Sequence, residues 1–146
     1  MLRPALLLIG CFFLLAPLGA QARDTEHFYP AADAKDSELG QQQLFEVPFY
    51  LKGQEHPKVS KTISEIDTQR STRGAFRFDE ASCQVAFLSA MKVLQKRAQE
   101  KGGNAIIDIV STTQGKQTES ASDYRCVAGS VIVHVGLKGK IVELAQ

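Results

Sequence analysis

The chain of 146 residues carries 17 Lys and Arg against 16 Asp and Glu, which leaves a formal net charge of +1. With charge balanced in this way, nothing in the sequence resembles the basic face that nucleic-acid binding needs. The length is sufficient for one domain with a single hydrophobic core, and the sequence shows no internal repeat.

The N-terminus has the pattern of a cleavable signal peptide, residues 1–22. Arg3 supplies a positive charge, residues 5–18 are almost wholly apolar, and Ala20-Gln21-Ala22 is a small-x-small cleavage site. The apolar run is shorter than the ~20 residues that a permanent transmembrane helix needs. We therefore predict cleavage between Ala22 and Arg23 and a periplasmic or secreted mature chain with no permanent transmembrane segment.

A lipoprotein is the alternative. Leu8-Ile9-Gly10-Cys11 resembles the sequence that precedes a lipidated bacterial cysteine. Lipidation there would leave a very short apolar run before Cys11 and would carry residues 12–18 into the mature protein. Because a cysteine in an apolar run commonly serves as a small hydrophobic residue, we favour cleavage after Ala22 over an anchor at Cys11.

The first part of the mature chain, residues 23–43, is polar and includes the run Gln41-Gln42-Gln43. We predict an N-terminal arm here, with room for a short helix beginning at Pro30, since proline suits the first position of a helix. Residues 44–146 are then predicted to form a single domain.

Leu44–Leu51 (LFEVPFYL) is rich in aromatic and branched residues and is predicted to be a strand. Pro48 cannot donate a ladder hydrogen bond, which places this strand at a sheet edge or a bulge. An edge with apolar side chains offers a surface for a protein partner. The candidate partner edge consists of Phe45, Val47, Phe49 and Tyr50.

Val59–Thr68 is ambiguous. The spacing of Val59, Ile63 and Ile66 fits a helix, whereas the intervening serines and threonines favour a strand. We favour the strand and predict a loop at residues 71–74.

The clearest helix runs from about Glu80 to Lys101. Asp79 is a suitable N-cap, and Gly102 stands where a left-handed C-terminal cap is expected. The apolar residues of this helix recur at steps of three and four and form a broad stripe: Cys83, Ala86, Phe87, Ala90, Met91, Leu94 and Ala98. The basic residues outside the stripe are assigned to its solvated face: Lys92, Lys96, Arg97 and Lys101.

Ala105–Val110 is predicted to be a strand with Ile107 and Ile109 on one face and Asp108 on the other. Residues 111–122 are rich in Ser and Thr, and we predict a mobile hairpin loop.

Tyr124–Leu137 carries the longest strand signal in the chain. Residues 136–139 (GLKG) are predicted to break or bend it before a final short segment, Ile141–Leu144. Together these elements predict an α+β fold, with one long helix packed on an antiparallel sheet of about four or five strands.

One disulfide, Cys83–Cys126, is predicted. Removal of Cys11 with the signal peptide leaves two cysteines in an oxidising compartment, too far apart in sequence for a redox-active C-x-x-C pair. In one regular strand Cys126 would face away from Val131 and Val133, and so away from the helix stripe that holds Cys83. We therefore predict a β-bulge near Gly129, which restores the phase of Cys126 and turns His134 away from the helix. The alternative is that Cys126 lies just before the strand, so that the ladder does not fix its direction.

From the helix onward the sequence resembles a known superfamily. The run Lys101-Gly102-Gly103-Asn104-Ala105 and a cysteine-bearing strand ending in Val131-Ile132-Val133 resemble the YbjQ-like and RcsF-like proteins over roughly residues 80–138. Cys83 and Cys126 look similar to one disulfide of the RcsF-like members, whose second bridge has no counterpart here. The resemblance implies an envelope protein with this helix-on-sheet fold.

The sequence is also similar to small exported bacterial proteins that are often labelled "excinuclease". It supports no such activity, because it has neither a G-x-x-x-x-G-K-[ST] loop nor a zinc-ligand pattern. A G-x-S-x-G elbow and an H-E-x-x-H motif are also missing. We therefore predict that the protein is not an enzyme.

The functional prediction is a small, exported, non-enzymatic binding or envelope-sensing protein whose partner is another envelope protein. The alternative is a metal- or small-ligand-binding periplasmic protein, which would need His134 near a carboxylate. The other two histidines, His27 and His56, lie in the arm and in a loop. No cofactor is predicted, and the sequence does not indicate an oligomeric state.

Overall fold

The computed structural model describes residues 23–74 and 78–145. The predictions of a signal peptide and of an anchor at Cys11 fall outside the described residues. Within them, one long helix packs on a six-stranded, mostly antiparallel sheet, which confirms the predicted α+β class.

The helices and strands are β1 Thr25–Pro30, α1 Ala31–Asp36, α2 Glu38–Gln43, β2 Phe49–Leu51, β3 Val59–Arg73, α3 Asp79–Glu100, β4 Ala105–Ser111, β5 Asp123–Ala128 and β6 Ile132–Leu144. A 3₁₀ turn at Thr113–Gly115 follows β4.

Strand β6 lies in the middle of the sheet. It pairs along one side with β3, and along the other side with β5 near its start and with β4 further on. β1 extends the sheet beyond β5, and β2 extends it beyond β4. Every pair is antiparallel except the parallel pair β2–β4.

Helix α3 covers one face of the sheet, here called the front face, and this packing forms the main core. Its residues from the predicted apolar stripe are all buried, and they pack with front-face residues of the sheet: Ile106, Ile109, Tyr124, Cys126, Ala128, Val133, Val135, Leu137 and Ile141. A smaller cluster on the opposite, back face contains Ala105, Ile107, Val142 and Leu144.

Both ends of α3 can be compared with the prediction. Asp79 is not the N-cap, since Phe78 holds that position without a side-chain hydrogen bond. The carboxylate of Asp79 pairs instead with His27 Nε2 at 3.1 Å and with Arg23. At the other end Gly102 has φ +77°, as predicted for a left-handed cap.

Residues 23–43 contain more structure than the predicted arm. Strand β1 pairs with β5 from Thr25 to Pro30, and α1 begins at Ala31, directly after Pro30. Alternate β1 side chains are half-buried and exposed. Such a short, polar strand gives a weak pattern, because only one of its faces touches the core.

Two strands differ in length from their predictions. The strand of Leu44–Leu51 is confined to Phe49–Leu51, because Leu44 is the C-cap of α2. The strand predicted at Val59–Thr68 continues to Arg73, so residues 71–73 are not a loop. This extension is polar and is held by backbone pairing with β6, which leaves no apolar signal.

A β-bulge lies in β4. The pairing of β4 with β6 shifts between Ile107 and Val110, and Asp108 has φ +53°. The extra residue places Ile109 in the front-face core and Ile107 in the back-face cluster. The prediction that both isoleucines share a face is therefore wrong, since a bulge reverses the alternation of side chains.

The segment after β4 is held against the back face. Ser111 forms an isolated bridge with Thr118, and Thr113 is buried. The N–H of Thr112 donates to the carbonyl of Gly136 at 2.8 Å. These contacts fix the start of the predicted loop at residues 111–122.

The predicted strand Tyr124–Leu137 is a hairpin, and the predicted bulge near Gly129 is wrong. β5 ends at Ala128, which lies opposite Val133 of β6, and the N–H of Gly129 donates to the carbonyl of Ile132 at 2.9 Å. The chain reversal brings Cys126 onto the front face without a bulge, because residues opposite each other across a ladder share a face.

The predicted bend at residues 136–139 is also wrong, since β6 runs without a break from Ile132 to Leu144. Gly136 and Gly139 accommodate neighbours: a Cβ at Gly136 would overlap the side chain of Gln69. Along the described residues, no helix combines the length and apolar character needed to cross a membrane.

Candidate functional site

A groove of about 480 Å³ lies on the described part of the chain. It lies on the front side, beyond the edge formed by β2. One wall comes from α1 and α2, and the other comes from the segment that leads into β2. Its lining residues are Lys35, Asp36, Gly40, Gln41, Leu44, Phe45, Glu46, Val47, Pro48, Phe49, Tyr50 and Gln95.

The groove brings together all four residues of the predicted partner edge, in different environments. Phe45 is 37% exposed, and Lys92 Nζ lies 5.9 Å from the centre of its ring. Val47 is buried. Phe49 is half-buried and contacts Phe87 edge-on, with 6.4 Å between ring centres. Tyr50 packs against His56.

Gln95 holds the wall of the groove in place. Its side chain is almost completely buried (1% exposed). Oε1 accepts the N–H of Phe45 at 2.9 Å, and Nε2 donates to the carbonyls of Phe45 at 2.9 Å and Val47 at 2.8 Å. The amide thus replaces the neighbouring strand that would otherwise satisfy this backbone.

A second glutamine, Gln54, binds the main chain at the other end of the β2 edge. The N–H of Leu51 donates to Gln54 Oε1 at 2.8 Å, and the N–H of Gln54 donates to the carbonyl of Leu51 at 3.0 Å. Both main-chain groups of Leu51 are therefore paired within a turn, and neither is available to a partner strand.

Phe49 lies between the main-chain segments that the two glutamines bind, and its own N–H and carbonyl point away from β4. Ile106 donates to the carbonyl of Pro48, which fixes Pro48 and Tyr50 as the residues that face β4. In a parallel ladder the residue between them directs its N–H and carbonyl to the opposite side. The N–H and carbonyl of Phe49 therefore face the groove side of the edge.

The charges around the groove are mixed and exposed. Lys35 and Asp36 stand on α1, Glu46 stands on the opposite wall, and Lys92 lies above Phe45. The floor and walls are mainly apolar. The arrangement suits an uncharged, apolar side chain more than an ionic ligand.

Sequence reasoning did not identify Gln95 as part of the site. A signal for it exists: Gln95 follows Met91 by four residues within the predicted apolar stripe of α3. An amide in such a position must find hydrogen-bond partners when it is buried. No comparable pattern in the sequence indicates that α1 and α2 form the other wall.

The predicted disulfide is present. Cys83 and Cys126 are bonded and completely buried, with 5.8 Å between their Cα atoms. The bond joins the start of α3 to β5 and does not border the groove.

The three histidines do not converge. His27 lies in β1, His56 lies in the connection after β2, and His134 lies on the back face of β6, opposite Ser71 and Val127. Among residues 23–74 and 78–145, no group of three His, Cys, Asp or Glu side chains is placed to hold a metal ion.

A buried charge lies on the back face of the described sheet. Arg125 is 3% exposed, and its guanidinium donates to Glu26 at 2.8 Å and to the carbonyl of Thr113 at 2.6 Å. Hydrogen bonds from Arg125 and then from Lys116 lower the pKa of Glu26 to about 2. This pair fastens β1 and the 3₁₀ turn to the sheet.

No protein-family model matches the chain, and no curated protein is significantly similar to it. The resemblance to the YbjQ-like and RcsF-like proteins stays a prediction.

Proposed function

We propose that the protein is an exported, non-enzymatic binding module of the cell envelope that holds an extended segment of a partner protein in the groove. The observation that carries this proposal is the position of an apolar groove of about 480 Å³ beside the outward-facing main chain of Phe49.

An extended peptide matches both features of the groove. Its main chain can exchange hydrogen bonds with the N–H and carbonyl of Phe49, and one of its apolar side chains can enter the cavity beside Phe45 and Val47. Binding of this kind combines main-chain affinity with side-chain selection. Gln95 already binds the main chain of Phe45, and Gln54 binds that of Leu51. Main-chain contact with a peptide is therefore restricted to about one residue, so the side-chain contact must supply most of the affinity.

The assignment to the envelope rests on the predicted signal peptide and on the disulfide, which forms and persists in oxidising compartments. Intact mass measurement of the protein recovered from the periplasm should give an unlipidated chain that begins at Arg23. A diacylglyceryl group on Cys11 would contradict the predicted cleavage.

The groove can be tested with a phage-displayed library of random linear peptides, selected on the oxidised mature chain. We expect selected peptides to share an aromatic or large aliphatic residue. They should lose at least tenfold in affinity for the Phe45→Glu variant, because that change places a carboxylate in the mouth of the groove.

Phe28→Glu is the matched control, since Phe28 is also exposed (51%) but lies on the back face of β1. It should bind the same peptides as the unchanged protein. Selection of no peptides, or of peptides that bind Phe45→Glu as well as Phe28→Glu, would contradict the proposal.

A further inference from the structure

The edge of the sheet opposite the groove is formed by β3, a strand of 15 residues. Among the described residues, β3 pairs only with β6, along its whole length. A long strand with one open side is a template for pairing with another chain. The residues of β3 that direct their main chain outward can be identified from two hydrogen bonds.

Gly74, directly after β3, donates its N–H to the carbonyl of Val131, next to β6, so this position faces inward. The carbonyl of Asp67 accepts a hydrogen bond from Arg97 Nη1 of α3 at 2.8 Å, so Asp67 faces outward. Since main-chain directions alternate along a strand, the outward set is Glu65, Asp67, Gln69, Ser71 and Arg73.

We propose that two copies of this chain associate through β3, antiparallel about a two-fold axis at Gln69. In this register Glu65 of each copy, which also pairs with Lys138 Nζ of its own chain at 3.3 Å, lies opposite Arg73 of the other, so two ion pairs form between the copies. A shift of the axis to Asp67 would place two aspartates opposite each other. A shift to Arg70 would pair Asp67 with Arg73 but would place two arginines opposite each other at the axis. Like charges in directly opposite positions destabilise a ladder.

The hydrogen-bonding pattern is compatible with this register. Asp67 lies opposite Ser71 of the second copy, and Gln69 lies opposite Gln69, so outward-facing groups meet outward-facing groups. Arg97 does not block the contact, because the carbonyl oxygen of Asp67 has a second lone pair for the N–H of Ser71.

Helix α3 offers a second surface at the same edge. Arg97 contacts Asp67 and the hydroxyl of Ser82 lies near Gly74, so α3 runs antiparallel to β3. Val85, Ser89 and Val93 precede Arg97 at four-residue steps on this side, and all three are only half-buried. In the proposed dimer the two helices lie side by side, and these stripes face each other across the axis.

Sedimentation velocity of the oxidised mature chain over a range of concentrations tests the dimer. We expect a reversible dimer, weakened at least tenfold by Arg73→Glu, which replaces both ion pairs with like charges. Lys61→Glu is the matched control: it makes the same change of charge on the same strand, but Lys61 is exposed and lies outside residues 65–73, which pair in this register, so dimerisation should persist.

A second variant removes an outward donor without touching the ladder to β6. Ser71→Pro loses only the N–H that faces the second copy, and proline is tolerated on an edge strand. It should be monomeric, with unchanged circular dichroism. In the unchanged protein, amide exchange at Gln69, Ser71 and Arg73 should slow as concentration rises.

A chain that stays monomeric at millimolar concentration would overturn the proposal, as would a dimer that Ser71→Pro leaves intact. Equal weakening by Lys61→Glu and Arg73→Glu would overturn the register. None of these outcomes bears on the groove, which lies on the opposite edge of the sheet.

Discussion

Gln95 connects the core of the protein to the shape of the groove. It is a buried polar side chain in a helix that is otherwise apolar on this face, and its three hydrogen bonds replace a missing strand for Phe45 and Val47. The wall of the groove therefore depends on one amide group.

We expect Gln95→Leu to lower the free energy of unfolding by about 2 kcal/mol, because main-chain groups are left without partners. The N–H of Phe45 should also exchange faster with solvent, while that of Leu51 should not change, since Gln54 protects it. Urea unfolding and amide exchange measure the two effects. Gln99→Leu, the same change at an exposed glutamine one turn later on α3, is the control and should leave both unchanged.

Glu26 illustrates a charge that stabilises the fold only in part of the pH range. Arg125 and Lys116 lower its pKa from an ordinary value of 4.5 to about 2. A lowered pKa in the folded state stabilises the protein above pH 4.5, and this contribution is lost as the pH falls from 4.5 towards 2.

Glu26→Gln should therefore be less stable than the unchanged protein near pH 7, and the difference should shrink steadily below pH 4.5. Thermal unfolding followed at several pH values measures this dependence. Glu100→Gln, which alters an exposed carboxylate at the end of α3, should follow the unchanged protein. A constant difference between Glu26→Gln and the unchanged protein at all pH values would contradict the role of the ion pair.

The end of α3 and the start of β4 form one structural unit. The N–H groups of Gly102 and Gly103 donate to the carbonyls of Gln99 and Ala98, the pattern of a Schellman motif. Asn104 then pairs with both main-chain groups of Leu144, at 2.7 Å and 3.2 Å. The Gly-Gly-Asn run that carries the family resemblance thus has a structural role in this turn.

The two glycines are required for different reasons, so their alanine variants should differ. Gly102→Ala meets no neighbour but keeps φ at +77°, and should cost about 1 kcal/mol. Gly103→Ala would overlap Cγ2 of Ile141 and should cost about 2–3 kcal/mol through overpacking. Urea unfolding of both variants measures the order, and a larger loss for Gly102→Ala would contradict this assignment.

The disulfide is the one covalent link between α3 and the sheet in the described residues. It joins positions 43 residues apart, and the chain-entropy model gives a stabilisation of roughly 4 kcal/mol for a loop of this size. Since small domains have a net stability of about 5–15 kcal/mol, the whole fold should depend on the oxidation state of this pair.

The double variant Cys83→Ala and Cys126→Ala should lose about 4 kcal/mol of unfolding free energy. Urea unfolding of the unchanged protein with and without reductant gives an independent comparison. The reduced protein should approach the double variant, and equal urea midpoints for the oxidised and reduced forms would show that the bond contributes little.

Local patterns in the sequence were sufficient for several elements. The course of α3, its glycine cap and its apolar stripe follow from interactions within a few residues of each other. The disulfide followed from the number of cysteines. The apolar side chains of the groove were also identified, because Phe45, Val47, Phe49 and Tyr50 stand together in the chain.

Tertiary contacts decided the rest. The strand β1 and the extension of β3 are polar and owe their structure to backbone pairing with distant segments, which leaves no local pattern. The bulge at Asp108 and the reversal near Gly129 both change which face a side chain occupies. The alternation of apolar and polar residues cannot distinguish a bulge from a chain reversal, because both shift that alternation by one residue. The groove itself exists only because Gln95 meets the main chain of residues about 50 positions earlier, a contact that only the folded chain can form.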